Sequence, residues 1–302
     1  MNRDAVVAEH RLSFLDYLGR LSRSRGVRRL AAQRSPAAAP RIACFPDDDI
    51  GAQILAHGWY EDVLLHAIFD TFLAAQAARL REGIAIDVGA NIGNHTLWLA
   101  SRFARVFAVE PNPICTHLLQ ANLLMNRVDN VEVFALGLSD RDGELTFHAN
   151  QHGNLGRSGV SAHLAASASR SFPVPVLRGD ALFDAQRLAG LPLRLIKLDI
   201  EGHEYAALRG LAATLAAQQP LLLFESHTSR GDTGGDAILA LLRDCGYRHF
   251  HVIETNTAPR GNPLRKLLHR AREGLRLRLC EVQRLPERSH SLVIAAVQPC
   301  AS

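Results

Sequence analysis

Short apolar runs alternate with stretches of helical periodicity from residue 84 onward, and this order constrains the fold more than any other feature. The strongest runs lie at 84–88, 105–111, 131–138, 193–200, 220–226 and 291–297. Helices are predicted between them at 94–103, 115–126, 203–217 and 236–245. Apolar runs without polar alternation are typical of strands covered on both faces. Strands joined by single helices therefore predict an α/β fold with a doubly wound, mostly parallel sheet.

Between these regular elements the pattern is weaker. A turn signal at 140–143 precedes the segment 144–148, which predicts an added strand. The polar, Ser- and Gly-rich segment 149–172 predicts a long loop, and 247–254 predicts a further strand.

The N-terminal part is predicted to lie outside this alternation. Apolar residues recur at helical spacing between about residues 54 and 80, which predicts a helical extension ahead of the first strand. The Arg-rich and Pro/Ala-rich residues before it predict a basic, partly flexible lead at 1–53. The remainder, 54–302, is predicted to form one domain.

The formal net charge of +4 is unevenly distributed. Arginines crowd residues 11–34 and 260–288, and leucines at helical spacing predict a basic amphipathic insertion at 259–288, before the last strand. Such patches suit nucleic acid, an anionic membrane or an acidic substrate, and they also occur as solvated basic surface.

Cysteine usage and hydropathy predict a soluble cytoplasmic protein. The five cysteines are odd in number and widely spaced, which favours free thiols over disulfides or a zinc site. No apolar run approaches the roughly 18 residues of a membrane span, and no signal peptide is recognisable at the N-terminus.

The segment DVGANIG at 87–93 lies where the first strand ends and a helix begins. Ligands of doubly wound sheets bind at this position. Gly89 and Gly93 allow a tight turn and close approach of a ligand to the backbone. Asp87 places a carboxylate where a ligand ammonium can be paired.

Glu110 ends the next strand, roughly 20 residues after the glycine turn, which suits hydrogen bonding to two ribose hydroxyls. A nucleoside-containing ligand is therefore predicted. The turn lacks the GxGxxG spacing of dinucleotide-binding proteins, and Asp87 would repel a pyrophosphate. The zwitterionic amino-acid end of S-adenosylmethionine suits this carboxylate better.

Asp199 lies near the end of the 193–200 run, Glu201 and His203 follow it, and all three are the predicted catalytic residues. Neighbouring carboxylates are expected to raise one another's pKa and that of His203, which makes His203 the predicted proton acceptor, oriented by Asp199 or Glu201. His95 and His227 are weaker candidates. Glu204 has the alternative role of starting the next helix. A divalent cation held by these carboxylates is a lower-ranked alternative, and no metal site is predicted.

Taken together, DVGANIG, VEPNP at 109–113 and IKLDIEGHE at 196–204 resemble the FkbM family of methyltransferases. GWYE at 58–61 and PLLLFE at 220–225 resemble the segments that family places before its first strand and after its second motif. The resemblance covers about residues 54–250.

This resemblance implies the class I methyltransferase fold, S-adenosylmethionine as cofactor, and O-methylation of a hydroxyl on a sugar, glycan or natural product. It also implies contacts with the methionine and ribose for Asp87, Gly89, Asn91 and Gly93, with the ribose for Glu110, Pro111 and Asn112, and with the adenine for Gly137 and Leu138. By the same resemblance, Asp199 lies beside the reacting methyl group.

After about residue 250 the sequence departs from the family. The 259–288 stretch is expected to cap the acceptor pocket or to dock an anionic or lipid-linked acceptor through Arg270, Arg272, Arg276 and Arg278. Two other functions stay open, a nucleic-acid methyltransferase and a non-catalytic nucleoside-binding module. LDIEG at 198–202 differs from the NPPY-type motif of amino-methylating enzymes, and aromatic residues for base stacking are scarce, so nucleic acid is the less favoured partner. A nicotinamide-dependent dehydrogenase is disfavoured by the glycine pattern.

Overall fold

The computed structural model describes residues 40–150, 156, 158–188, 190–226, 235–255, 277–285 and 290–299. Most of the predicted lead, His227 and most of the predicted basic insertion therefore lie outside the described residues.

Eleven strands are present in this part of the chain: β1 Ile84–Val88, β2 Arg105–Val109, β3 Val131–Phe134, β4 Gly137–Ser139, β5 Gly143–Ala149, β6 Arg170–Arg178, β7 Leu193–Leu198, β8 Leu221–Ser226, β9 His249–Thr255, β10 Leu277–Glu281 and β11 His290–Ala296. The α-helices are α1 Asp49–His57, α2 Asp62–Ala67, α3 Ala77–Arg81, α4 Asn94–Ala100, α5 Pro113–Met125, α6 Gly179–Leu182, α7 Ala185–Leu188, α8 Glu204–Gly210, α9 Ala212–Gln218 and α10 Gly235–Asp244. A π-helical turn, Ile68–Phe72, and two 3₁₀ segments, Ala74–Gln76 and Ala162–Ser167, complete the set.

Eight strands form one sheet in the order β10-β9-β11-β8-β7-β1-β2-β3. β1 pairs in parallel with β2 on one side and with β7 on the other. The chain therefore reverses its direction of travel across the sheet at β1, which creates a switch point at the carboxyl end of that strand. The predicted doubly wound, mostly parallel α/β fold is confirmed.

Both faces of this sheet are covered, as the unbroken apolar runs predict. All five residues of β1 are buried. One face packs against α8, α9 and α10 through Leu208, Leu215 and Leu239. The opposite face packs against the N-terminal segment through Ile68 and Leu73. Burial on both faces fixes the strand ends that carry the polar residues of the site.

The N-terminal extension is helical but broken. The predicted helical extension over about 54–80 is present as several short helices, because Gly58 at φ 97° ends α1 and Glu61, in the left-handed region at φ 58°, precedes α2. These two residues turn the chain so that α1 and α2 contact different parts of the domain.

A second sheet of three strands, in the order β4-β6-β5, corrects two predictions. The predicted 131–138 strand ends at Phe134, and Gly137–Ser139 leaves the large sheet to pair with β6. The last residues of the predicted loop at 149–172 belong to β6, which begins at Arg170. Pro173 and Pro175 argue against a strand in the sequence, yet both prolines are exposed while Val174 and Val176 are buried.

The C-terminal elements depart further from expectation. The predicted helix over 203–217 breaks at Leu211, which is fully buried in the core between α8 and α9. Leu279, predicted on a helix, lies in β10, which pairs antiparallel with β9. β11 is inserted antiparallel between β8 and β9.

Among the described residues, no single helix is long and apolar enough to cross a membrane. The bent pair Asp62–Phe72 and Ala74–Arg81 meets that requirement only jointly, by length and composition.

Candidate functional site

A cleft of about 280 Å³ opens at the carboxyl ends of the parallel strands. Ten of the predicted site residues line it: Gly89, Asn91, Glu110, Pro111, Asn112, Gly137, Leu138, Asp199, Glu201 and His203. Two others, Asp87 and Gly93, do not line the cleft and lie behind its wall. Most of the site residues predicted from the sequence therefore lie in one cleft.

The two glycines act through backbone geometry. Gly89 has φ 78°, and a Cβ there would overlap the carbonyl oxygen of Asp199. Gly93 has φ 89° and would bring a Cβ against the side chain of Leu119 on α5. A side chain at either position would push β1 or α4 away from its neighbour, so these glycines shape the wall of the cleft.

Glu110 is held at the end of β2 by backbone donors. Its Oε2 accepts the N–H of Asn91 at 2.8 Å, and its Oε1 accepts the N–H of Asn112 at 2.8 Å. Asn91 reaches this position in the left-handed region, at φ 50°. Burial raises the pKa of Glu110 to about 7, although the two N–H donors oppose that change.

Asp87 lies deeper than the cleft and is fully buried. Its Oδ2 accepts a hydrogen bond from the hydroxyl of Thr96 at 2.7 Å, and its Oδ1 lies 3.4 Å from Lys197 Nζ. Burial alone would lower the pKa of Lys197, but Asp199 and Asp87 raise it above its ordinary value. The structure therefore places Asp87 in a buried ion pair that supports the turn.

Lys197 also joins Asp87 to the acidic end of the cleft, since its Nζ lies 3.2 Å from Asp199 Oδ2. Glu61 and Glu225 line the cleft at the same end. Asp199, Glu61 and Glu225 all act on Tyr60, whose pKa is raised by burial first and then by these three carboxylates. This end of the cleft is therefore strongly acidic.

His203 lies elsewhere along the cleft. One of its ring nitrogens, Nε2, is 3.0 Å from the hydroxyl of Ser139, the last residue of β4. The prediction that neighbouring carboxylates raise its pKa is wrong. Burial lowers the pKa of His203, and the effect of Asp140, which raises it, is opposed by Arg141. The lowered pKa keeps the imidazole neutral near pH 7.

The remaining acidic candidates of this loop differ in role. Glu201 is in the left-handed region at φ 52° and lines the cleft. Glu204 begins α8 and is buried; its carboxylate accepts the N–H groups of Ile200 at 3.0 Å and Gly202 at 2.9 Å. Glu204 thus holds the loop that carries Asp199, Glu201 and His203.

Several lining residues had no signal in the sequence. Asp49, Ile50 and Gln53 come from α1, and Phe147 and Val176 come from the small sheet. They reach the cleft through long-range packing, which no local motif encodes.

Comparison with known proteins gives one family match. The model of the methyltransferase FkbM domain matches residues 87–249, more than half of the chain.

Two curated relatives illustrate the range of similar proteins. AmbE, an antimetabolite synthetase of Pseudomonas aeruginosa, is 32% identical over 203 residues, covering 55% of this chain and 10% of its own length. AglP, a hexuronic acid methyltransferase of Haloferax volcanii, is 31% identical over 130 residues, covering 43% of this chain and 50% of its own. The chain therefore spans half or less of these relatives.

Among solved structures, an FkbM methyltransferase from Methylobacillus flagellatus aligns with a TM-score of 0.41 and 16% identity. The alignment covers 92% of this chain and 60% of that one.

Proposed function

The chain belongs to the FkbM methyltransferase family, and on that premise we propose that it transfers a methyl group from S-adenosylmethionine to a hydroxyl oxygen of a sugar, glycan or natural product. The observation that carries the proposal is the buried Glu110 carboxylate, held by two backbone N–H groups beside the Gly89 turn. Each carboxylate oxygen uses one lone pair on the backbone and keeps capacity for a ribose hydroxyl.

Other residues of the cleft fit the same cofactor. The buried Oδ1 of Asn91 has no hydrogen-bond partner in the part of the chain that the structure describes, so it is an acceptor without a donor beside Glu110. Leu138, Phe147 and Val176 give the cleft an apolar end next to Gly137, which suits an adenine ring. Acidic residues occupy the other end, where a cationic sulfonium is favoured.

When bound, S-adenosylmethionine supplies an electrophilic methyl group on a sulfonium. The chain's own residues then have to align the acceptor, exclude water and take a proton. Asp199 is the proposed neighbour of the reacting methyl group, with its carboxylate held by Lys197. Two imidazoles line the cleft and are the candidates for the proton acceptor, those of His203 and His95.

The family and one relative support the proposed acceptor class. AglP is a hexuronic acid methyltransferase, which favours a sugar derivative as the acceptor here. The basic stretch at 259–288 makes an anionic or lipid-linked acceptor a further proposal.

Calorimetric titration of S-adenosylmethionine and S-adenosylhomocysteine tests the cofactor. We expect binding by the wild-type protein and a loss of at least about 100-fold in affinity for Glu110→Ala, since two charge-assisted hydrogen bonds disappear. Glu110→Gln keeps the side-chain volume and should also bind weakly. Glu144→Ala removes an exposed carboxylate on β5 and serves as the matched control. A folded wild-type protein that binds neither compound would refute the proposal.

Transfer of a labelled methyl group to methyl glucoside and methyl glucuronide tests the acceptor class. We expect an O-methyl product, identified by its proton NMR signal. Cofactor binding without methyl transfer to either glycoside would overturn the acceptor assignment alone.

A further inference from the structure

A second, smaller cavity meets the main cleft at its acidic end. This cavity has a volume of about 20 Å³ and is lined on its far side by leucine, isoleucine and phenylalanine side chains of α2, the π-helical turn, α4 and β8. The two cavities share four polar residues: Glu61, His95, Asp199 and Glu225. His95 is the one imidazole of this shared set, and the apolar wall behind it limits access of water.

His95 faces a carboxylate across the cleft wall. Its Nε2 lies 3.5 Å from Glu61 Oε2, with 10% of the His95 side chain and 27% of the Glu61 side chain exposed. Its other ring nitrogen, Nδ1, has no hydrogen-bond partner among the described residues. Pairs of this kind often lie at loose distances before substrate binds and shorten in the reacting complex. A carboxylate on one ring nitrogen fixes the tautomer and leaves the other nitrogen to accept a proton.

The chain holds Glu61 in this place at a conformational cost. Tyr60 donates its N–H to Asn94 Oδ1 at 2.9 Å, and Asn94 Nδ2 donates to the Tyr60 carbonyl at 3.0 Å. This reciprocal pair joins the residue before Glu61 to the residue before His95. Glu61 itself adopts φ 58° and ψ 33°, a left-handed conformation that is uncommon for non-glycine residues.

His203 lacks these features. Its Nε2 pairs with Ser139 on the strand of Gly137 and Leu138, at the end of the cleft that suits adenine. His95 instead lines the acidic end, together with Asp199. Asp199 is itself paired with the Lys197 ammonium, which occupies one of its carboxylate oxygens.

We propose that His95 accepts the proton of the acceptor hydroxyl during methyl transfer and that Glu61 is its positioning residue. This inference rests on the proposed function. The acceptor oxygen bonds to the methyl carbon as the carbon–sulfur bond breaks, and the sulfonium becomes a neutral thioether. The hydroxyl proton moves to Nδ1 of His95, and the resulting imidazolium faces the Glu61 carboxylate.

The test measures kcat, KM and the affinity for S-adenosylhomocysteine with whichever methyl glycoside the wild-type protein methylates. We expect His95→Asn to lower kcat by about 10²- to 10⁴-fold, the usual contribution of a general base, with unchanged S-adenosylhomocysteine affinity. Glu61→Gln should give a smaller loss of kcat. The double variant should be no slower than His95→Asn, because the two residues act as one unit. Added imidazole should partly restore His95→Gly.

Two comparison variants separate this role from others. His249→Asn removes the imidazole of the His249–Glu281 pair, which lies outside the cleft, and should leave kcat unchanged. His203→Asn should weaken cofactor affinity more than it lowers kcat. Retained kcat in a folded His95→Asn, or a larger loss of kcat in His203→Asn, would overturn the proposal. Wild-type protein without cofactor binding would instead refute the proposed function itself.

Discussion

Glu110 and Asp87 are buried carboxylates on adjacent strands, and they differ in what compensates their burial. Asp87 faces the ammonium of Lys197, its register partner on β7. Glu110 is held by neutral backbone donors instead. The sequence predicted that both residues lie at strand ends. It did not predict which of them faces the ligand, because that depends on Lys197, which is 110 residues away from Asp87 along the chain. The role of Lys197 was missed for the same reason.

The pH dependence of cofactor affinity follows from Glu110. Burial raises its pKa to about 7, and only the ionised carboxylate can accept from both ribose hydroxyls as well as both backbone N–H groups. We therefore expect S-adenosylhomocysteine affinity to be constant above pH 7 and to fall by about tenfold per pH unit below it. Calorimetry across this range measures the effect, with Glu110→Gln as the variant that should lose it. A flat profile in the wild type would contradict the assignment.

The same residue acts on stability in the opposite direction. Its pKa is raised in the folded protein above 4.5 in the unfolded chain, so the folded state holds more protons between these values. The unligated protein therefore loses stability as pH rises from about 4.5 to 7, by roughly 3 kcal/mol from this group at most. The ionised, buried carboxylate therefore destabilises the unligated protein, and hydroxyl groups of a ligand can donate to it.

At the scale of elements, the short buried strands were predictable and their lateral partners were not. β1, β7 and β8 coincide with apolar runs because both faces of each strand are covered. β6 was not predicted because its prolines disfavour a strand, and its alternating valines form one only by pairing with β5. The helix α1 was missed as part of the site because its position depends on contacts with α5.

Two asparagines at the C-terminal end of α5, Asn122 within the helix and Asn126 directly after it, bind the segment that leads into α1. Asn122 accepts the N–H of Ala43 at 2.7 Å and donates to the carbonyls of Ala43 and Ile92, at 3.2 Å and 2.7 Å. Asn126 makes the matching pair of bonds to Arg41 in an exposed position. The same pair of side-chain to backbone hydrogen bonds therefore occurs once in the interior, at Asn122, and once at the surface, at Asn126.

We expect Asn122→Ala to destabilise the protein by about 3 kcal/mol, because it leaves buried backbone groups unpaired. Asn126→Ala should cost less than about 1 kcal/mol, since water replaces its bonds. Urea unfolding measures both values. Because α1 lines the cleft, Asn122→Ala should also weaken S-adenosylhomocysteine binding more than Asn126→Ala does. Equal losses for the two variants would show that this segment is not fastened through Asn122.

For the molecule as a whole, the sequence predicted the mostly parallel sheet but not its antiparallel end. The run at 291–297 is as apolar as the central strands, and nothing in it indicates direction. Its insertion between β8 and β9 is decided by pairing with both of them. The order of strands is therefore a property of the assembled sheet.

The N-terminal segment shares a core with this sheet, so the two should unfold together. Ile68 and Leu73 belong to one cluster with buried residues of five strands on one face of the sheet. The chain's two tryptophans report on this contact, since the Trp59 and Trp98 rings lie 5.1 Å apart at 83°.

We expect tryptophan fluorescence and far-ultraviolet circular dichroism to give the same urea midpoint, as one cooperative unit requires. Trp59→Phe isolates the signal of Trp98 and should keep the midpoints coincident. A fluorescence change at lower urea than the loss of ellipticity would mean that the segment carrying Tyr60 and Glu61 separates first. The acidic end of the cleft would then be assembled by a local docking equilibrium, and cofactor affinity would fall at urea concentrations where the sheet is still folded.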